Sequence, residues 1–117
     1  MTTVSTSTST NPTLLSGITF EDEIAAAKEE MAYLKDKTDA IVLVCHMGDN
    51  ASAVSCTSGK LVQSLTAEEW SNVAAIIDGH SHTVENTSVE GVPVVQTGVN
   101  FGHLGKITID FKEARMA

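Results

Sequence analysis

The chain has 117 residues, 42% of them hydrophobic, which is room for one domain and argues against two. Its formal net charge of -8 at pH 7 speaks against a nucleic-acid polymer or an anionic membrane surface as partner, since a phosphate backbone is bound by a basic face that displaces its counterions. An acidic protein can still hold a phosphate ester where bound cations supply positive charge locally.

In chain order, residues 1–11 are dominated by Ser and Thr, a composition that cannot bury enough apolar surface to order itself alone, and they read as a loop or tail. They lack the basic start and apolar core of a signal peptide. The segment 20–37, FEDEIAAAKEEMAYLKDK, places Ile24, Ala27, Met31 and Leu34 on one helical stripe. Acidic residues open it and lysines close it, as the helix dipole favours, so an amphipathic helix is predicted.

AIVLVC, residues 40–45, is too short an apolar run for a helix and reads as a strand buried on both faces, the parallel-sheet type. A weaker helical stretch around 59–65 leads into TAEEW, residues 66–70, which starts like a capped turn. VAAIID (73–78) reads as a second buried strand, and VPVVQT and LGKITIDF as two more, the last alternating apolar and polar residues as an edge strand does. Helix, strand, helix, strand implies an α/β layered architecture with at least one right-handed crossover. No run reaches the length of a membrane span. The two cysteines, Cys45 and Cys56, are too few for a disulfide scaffold and wrongly spaced for a zinc knuckle; Cys45 reads as a small buried hydrophobe.

Two of the four histidines follow the apolar strands directly. His46 follows the first and His80 the second, and in a parallel pair both carboxyl ends share one sheet edge, where open α/β sheets bind ligands. His82 lies one step further along, and Gly79 is expected to let the backbone turn sharply and present the rings. Three imidazoles at one rim suit a divalent transition metal; a histidine after a strand is also commonly just a satisfied polar residue. His103 has no such placement and reads as a surface or turn residue. Asp49 and Asn50 read as a helix cap or turn rather than as ligands. Asp78 is either an acceptor for an imidazole N–H or part of an Asp-Gly turn. No Gly-x-Gly-x-x-Gly follows either strand, which sets aside a dinucleotide-binding domain.

The segments GITFEDEIAAAKEEMAYLK, DAIVLVCHMGDN, VAAIIDGHSHT and GVPVVQTGVNFGHLGKITIDF, in that order, resemble the carboxyl-terminal half of the calcineurin-like metallophosphoesterase catalytic domain. The branch is that of 5′-nucleotidases, 2′,3′-cyclic-nucleotide phosphodiesterases and UDP-sugar hydrolases. The resemblance implies a partial layered α/β metallophosphoesterase fold with a mixed sheet and helices on its faces. Residues 1–16 would be a Ser/Thr-rich loop or tail and 17–117 a partial catalytic domain. It implies that His46 and His80 bind one metal ion and His82 a second, the ions being zinc, manganese or iron. It implies hydrolysis of nucleotides or related phosphate esters, and, by analogy, an extracellular, periplasmic or cell-surface location.

The family's first half carries an Asp-x-His, a bridging Gly-Asp and a Gly-Asn-His; no Asp or His lies upstream of Gly17 to match them, and the substrate-specificity domain has no counterpart either. Two close cations repel, and neutral imidazoles cancel none of that charge, so this chain alone is expected to hold at most one ion. Strands this apolar also call for more covering elements than the sequence supplies, so an amino-terminal half or a second chain is expected at the open sheet edge. The chain thus reads as part of a two-metal phosphohydrolase, inactive alone; the alternative is a non-catalytic module that binds one metal or pairs through its sheet.

Overall fold

The structure, a computed structural model, describes residues 1–2, 6–50 and 56–111. The start of the chain, the middle of the loop after His46 and the last residues of the expected 17–117 domain lie partly outside that set. The elements are a helical turn α1 (Thr6–Ser9), a 3₁₀ turn (Pro12–Leu14), α2 (Glu23–Leu34), β1 (Ile41–Val44), α3 (Ser58–Gln63), α4 (Ala67–Trp70), β2 (Val73–Ile77), β3 (Val84–Val89) and β4 (Val92–Thr97).

One mixed sheet has the order β1-β2-β4-β3. β1 pairs parallel with β2 and β2 parallel with β4, while β3 returns antiparallel to β4. The α/β class is what the sequence predicts, and a mixed sheet is what the resemblance implies. β3 is the strand that its pattern does not announce: VENTSV carries apolar residues only at its ends, and it is held as an edge by a two-residue loop. Glu90 and Gly91 in that loop have φ of 50° and 82°, the paired positive values of a type I′ turn, whose twist matches that of the strands it joins.

The amphipathic stripe of α2 places Ala27 and Met31 in the core, with Ile24 and Leu34 against it. Asp22 caps the helix, its carboxylate accepting from the Ala25 N–H at 2.8 Å. The helix ends at Leu34, so the lysines fall beyond its last turn rather than inside it; Lys35 pairs instead with Glu68 of α4. The predicted capped turn at TAEEW is α4, closed by a reciprocal box in which Thr66 and Glu69 each accept from the other's backbone N–H.

α2 and α3 cover one face of the sheet, where Ile76 and Leu61 are fully buried and Ile41, Val92 and Val94 nearly so. The opposite face departs from the expectation of strands buried on both sides. Val42, Val44, Ile77 and Val84 are exposed there, because among the described residues no helix lies over them. The Ser/Thr-rich start is not wholly a tail. It carries one helical turn with no buried residue, and Thr2 forms a parallel bridge to His46 along the outer edge of β1.

The segment LGKITIDF, predicted as a strand, is the clearest correction. Residues 102–110 form no strand, and among the described residues no peptide group from 103 to 111 enters a hydrogen bond. Alternation fits a residue row to a pleated surface but does not supply the neighbouring strand.

Candidate functional site

The ladder between β1 and β2 runs to its carboxyl end, where Val44 faces Ile77 and the Cys45 N–H donates to the Ile77 carbonyl at 2.8 Å. The chains leave the sheet together at that point. His46 and His80 consequently meet, their ring centroids 5.1 Å apart and the planes at 78°. Both residues are exposed at the rim.

Each loop carries a glycine that makes room for the other loop's imidazole. A β-carbon on Gly79 would lie 3.1 Å from His46 Nδ1, and one on Gly48 would lie 3.3 Å from His80 Cδ2. Gly79 therefore acts by clearing space for His46, and the sharp turn expected of it is made elsewhere. It is His80 and His82 that take positive φ, 88° and 57°. A non-glycine residue held in that region is uncommon and has to be over-determined by its surroundings.

The bases of the two loops are braced by Asp78, which is buried. One carboxylate oxygen accepts from the Met47 and Gly79 backbone N–H groups, both at 2.8 Å. The other accepts from the Ser58 hydroxyl at 2.6 Å. The residue thus ties the end of β1, the end of β2 and the start of α3 together, and of its two sequence readings the turn role is the one realised. The cap of α3 is Thr57, so neither Asp49 nor Asn50 caps that helix. Asp49 lies at a bend, and the Ser81 hydroxyl beside it holds its carboxyl below the usual range. Ser81 also accepts from the buried Gln96 side-chain amide at 2.9 Å, which anchors the His80–His82 loop to β4.

His82 is exposed on this loop and makes no ring contact with the other two imidazoles. Among the described residues, no three His, Cys, Asp or Glu side chains gather closely enough to hold a metal ion. The donor set brought together is thus His46 and His80. It fits part of the shell of one divalent cation; it does not fit a pair, for want of an anionic ligand between them. Ser58, Gly48 and Gln96 escaped the sequence reading. Only the Gly at the third position of His-Met-Gly carried a visible signal, since a glycine just past a strand marks a close backbone approach.

Both cysteines are buried and unpaired, and burial, followed by the nearby Asp78 charge, pushes the Cys45 thiol up to about 11. A cavity of about 520 Å³ lies between β3–β4 and the segment around His103, with Glu85 in its wall. His103 is exposed, as its reading as a surface residue requires. One Glu85 carboxylate oxygen is buried without a hydrogen-bond partner, and burial, with Asp49 and Asp78 adding negative charge, raises its carboxyl above the ordinary 4.5. A raised carboxyl value means that the folded chain binds the proton more tightly than the unfolded one. The penalty is absent well below 4.5, grows as pH rises through the raised value, and persists above it. Glu85→Gln should therefore raise the melting temperature near neutral pH and leave it unchanged in acid, as paired thermal melts would report.

No helix among the described residues is long and apolar enough to cross a membrane. No family model matches the chain, and no curated protein is significantly similar to it.

Proposed function

We propose that this chain contributes the His46–His80 rim of a metal-dependent phosphohydrolase acting on nucleotides or related phosphate esters. The observation that carries the reading is the meeting of two exposed imidazoles, 5.1 Å between centroids, at the carboxyl ends of neighbouring parallel strands. Paired glycines make room for both rings, and a buried carboxylate braces the loops beneath them. Those are the supports a ligand pair needs if its rings are to stay in one geometry. The motifs that resemble the phosphoesterases fall on these same loops.

On this reading His46 and His80 hold the ion, and His82 would join a second ion only when a further segment brings an anionic ligand. A bound divalent cation supplies polarisation of the phosphoryl oxygen and a lowered pKa for its water. The chain's own part is to orient the two rings, through Asp78 and Ser81, and to present them at an open rim that an ester can reach. An amino-terminal half, or a second polypeptide carrying the carboxylates, completes the centre.

A non-catalytic module that binds one metal is the second reading, favoured by the absence of an acidic ligand beside the two imidazoles among the described residues. Two measurements separate them. Zinc or manganese uptake, by elemental analysis and titration calorimetry, is expected at up to one ion per chain, weakened at least about tenfold by His80→Ala or His46→Ala. Equal uptake by the variants and the parent removes both readings. Co-expression with an amino-terminal polypeptide bearing Asp-x-His and Gly-Asn-His should then yield hydrolysis of a nitrophenyl phosphate that depends on His80. Failure of that arm, with uptake intact, leaves the non-catalytic module.

A further inference from the structure

The predicted strand that has no partner offers a surface of a different kind. From Gly105 to Phe111 the order is Gly, Lys, Ile, Thr, Ile, Asp, Phe. Ile107, Ile109 and Phe111 alternate with Lys106, Thr108 and Asp110, so a pleated backbone would carry one apolar and one polar row. Every residue of the stretch is exposed except Ile107, which is half-buried, and none of its peptide groups is hydrogen-bonded among the described residues. Unpaired backbone on a β-patterned segment is a template for another strand.

We infer that this segment pairs antiparallel with the same segment of a second copy of the chain, about a two-fold axis at Thr108. The charge pattern selects the occupant and the register. With Thr108 opposite its own counterpart, Lys106 faces Asp110 and Asp110 faces Lys106, giving two opposite-charge pairs on one face of the ribbon. The other face sets Ile107 against Ile109 twice and Phe111 against Gly105 twice, where an aromatic ring covers the bare glycine. A shift by two residues in either direction breaks the Lys–Asp matches, and a shift by one turns the apolar rows to opposite faces. A two-fold contact of this kind is closed, so association stops at the dimer.

The position of the segment adds apolar burial. A β-carbon on Gly105 would lie 2.9 Å from Thr97 Cγ2, so the start of the segment lies close against β4, beside the sheet face where Ile77 and Val84 are exposed. Phe101 and Leu104, almost fully exposed just before the segment, flank the ribbon where it begins. A two-stranded ribbon alone is marginal in water, and its packing on that face is what makes the pairing worth more than its backbone hydrogen bonds.

The test is the oligomeric state of the full chain by sedimentation across a dilution series, with charge reversals. The parent should shift reversibly from monomer to dimer. Lys106→Asp and Asp110→Lys should each weaken association by about tenfold, because each sets like charges opposite one another in both pairs. The double variant should restore it. Asp110→Lys is the more demanding arm, since it makes the chain less acidic and a non-specific association would strengthen. Thr108→Cys should give a disulfide-linked dimer under mild oxidation, the two native thiols being buried. Circular dichroism confirms that each variant folds. A parent that stays monomeric, a double swap that does not restore association, or a Thr108→Cys chain that dimerises without cross-linking overturns the proposal. Metal uptake enters none of these readouts, so the fate of the phosphohydrolase reading is decided separately.

Discussion

Replacing Asp78 by alanine is expected to cost about 3–5 kcal/mol of folding stability, more than any other single change at this rim. The side chain is buried and accepts three hydrogen bonds, two of them from backbone N–H groups in the loops that follow two different strands. Truncation deletes an ionised acceptor and leaves the Met47 and Gly79 N–H groups without a partner. Each such orphan costs roughly 1–3 kcal/mol; little water can reach the Met47 N–H, since that residue is fully buried, while Gly79 is half-buried and its N–H falls at the lower end. Against a total stability of about 5–15 kcal/mol typical of a domain, the loss is large enough to populate the unfolded chain at ambient temperature. Urea denaturation measures it directly.

Two milder changes test whether the loss has the assigned cause. Ser58→Ala removes one donor to the same carboxylate and should cost about 1–2 kcal/mol. Asp78→Asn keeps an oxygen for the two backbone donors and presents its amide to Ser58, whose hydroxyl rotates to accept; a cost of about 1–2 kcal/mol is expected, since a neutral acceptor binds more weakly than a charged one. Ser58→Ala and Asp78→Ala together should cost less than their separate losses combined, because the hydroxyl has no acceptor to lose once the carboxylate has gone. Full additivity would mean that the two residues act independently and that the tie between α3 and the strand ends is not energetic.

The sequence carried the parts of this fold in which residue pattern and tertiary environment agree. The stripe of α2 and the apolar runs of β1 and β2 are strong periodic signals, and both runs became parallel neighbours ending at one rim. That rim is where His46 and His80 were expected to converge, and they do. β3 was illegible because its stability comes from the hairpin loop and from β4, while its own residues are mostly polar and exposed. LGKITIDF shows the reverse: a strong alternating pattern whose partner strand lies outside what the pattern can specify. Asp78 was ambiguous for a related reason. A carboxylate after a strand looks the same in sequence whether its acceptors meet an imidazole or two peptide groups, and which one it meets depends on how closely Met47 and Gly79 approach. His82 stands with the other histidines by its place on the same loop and by the resemblance, and its ring makes no contact with theirs.

Gly48 is the position at which fold and candidate site are most tightly joined, and Gly48→Ala is expected to cost about 2–3 kcal/mol while displacing His80. Its φ of 74° costs an alanine about 1 kcal/mol by itself, through the approach of the β-carbon to the carbonyl oxygen. The rest is crowding. The new methyl would sit 3.3 Å from His80 Cδ2 and from the Ser81 nitrogen, and Gly48 is buried, so relief has to come from the His80 loop moving outward. Gly91 provides the control within the same chain. Its φ of 82° is similar, but nothing lies within 4 Å of a β-carbon there, so Gly91→Ala should show only the backbone cost of about 1 kcal/mol. Zinc titration then separates the two effects on the site. Gly48→Ala should weaken His80-dependent uptake about tenfold, as changes behind a ligand do, and Gly91→Ala should leave it untouched. Equal affinities in the two variants would show that the approach of the glycine to the imidazole does not hold the ring. The pairing of Gly48 with His80, and of Gly79 with His46, would then be a matter of chain packing alone.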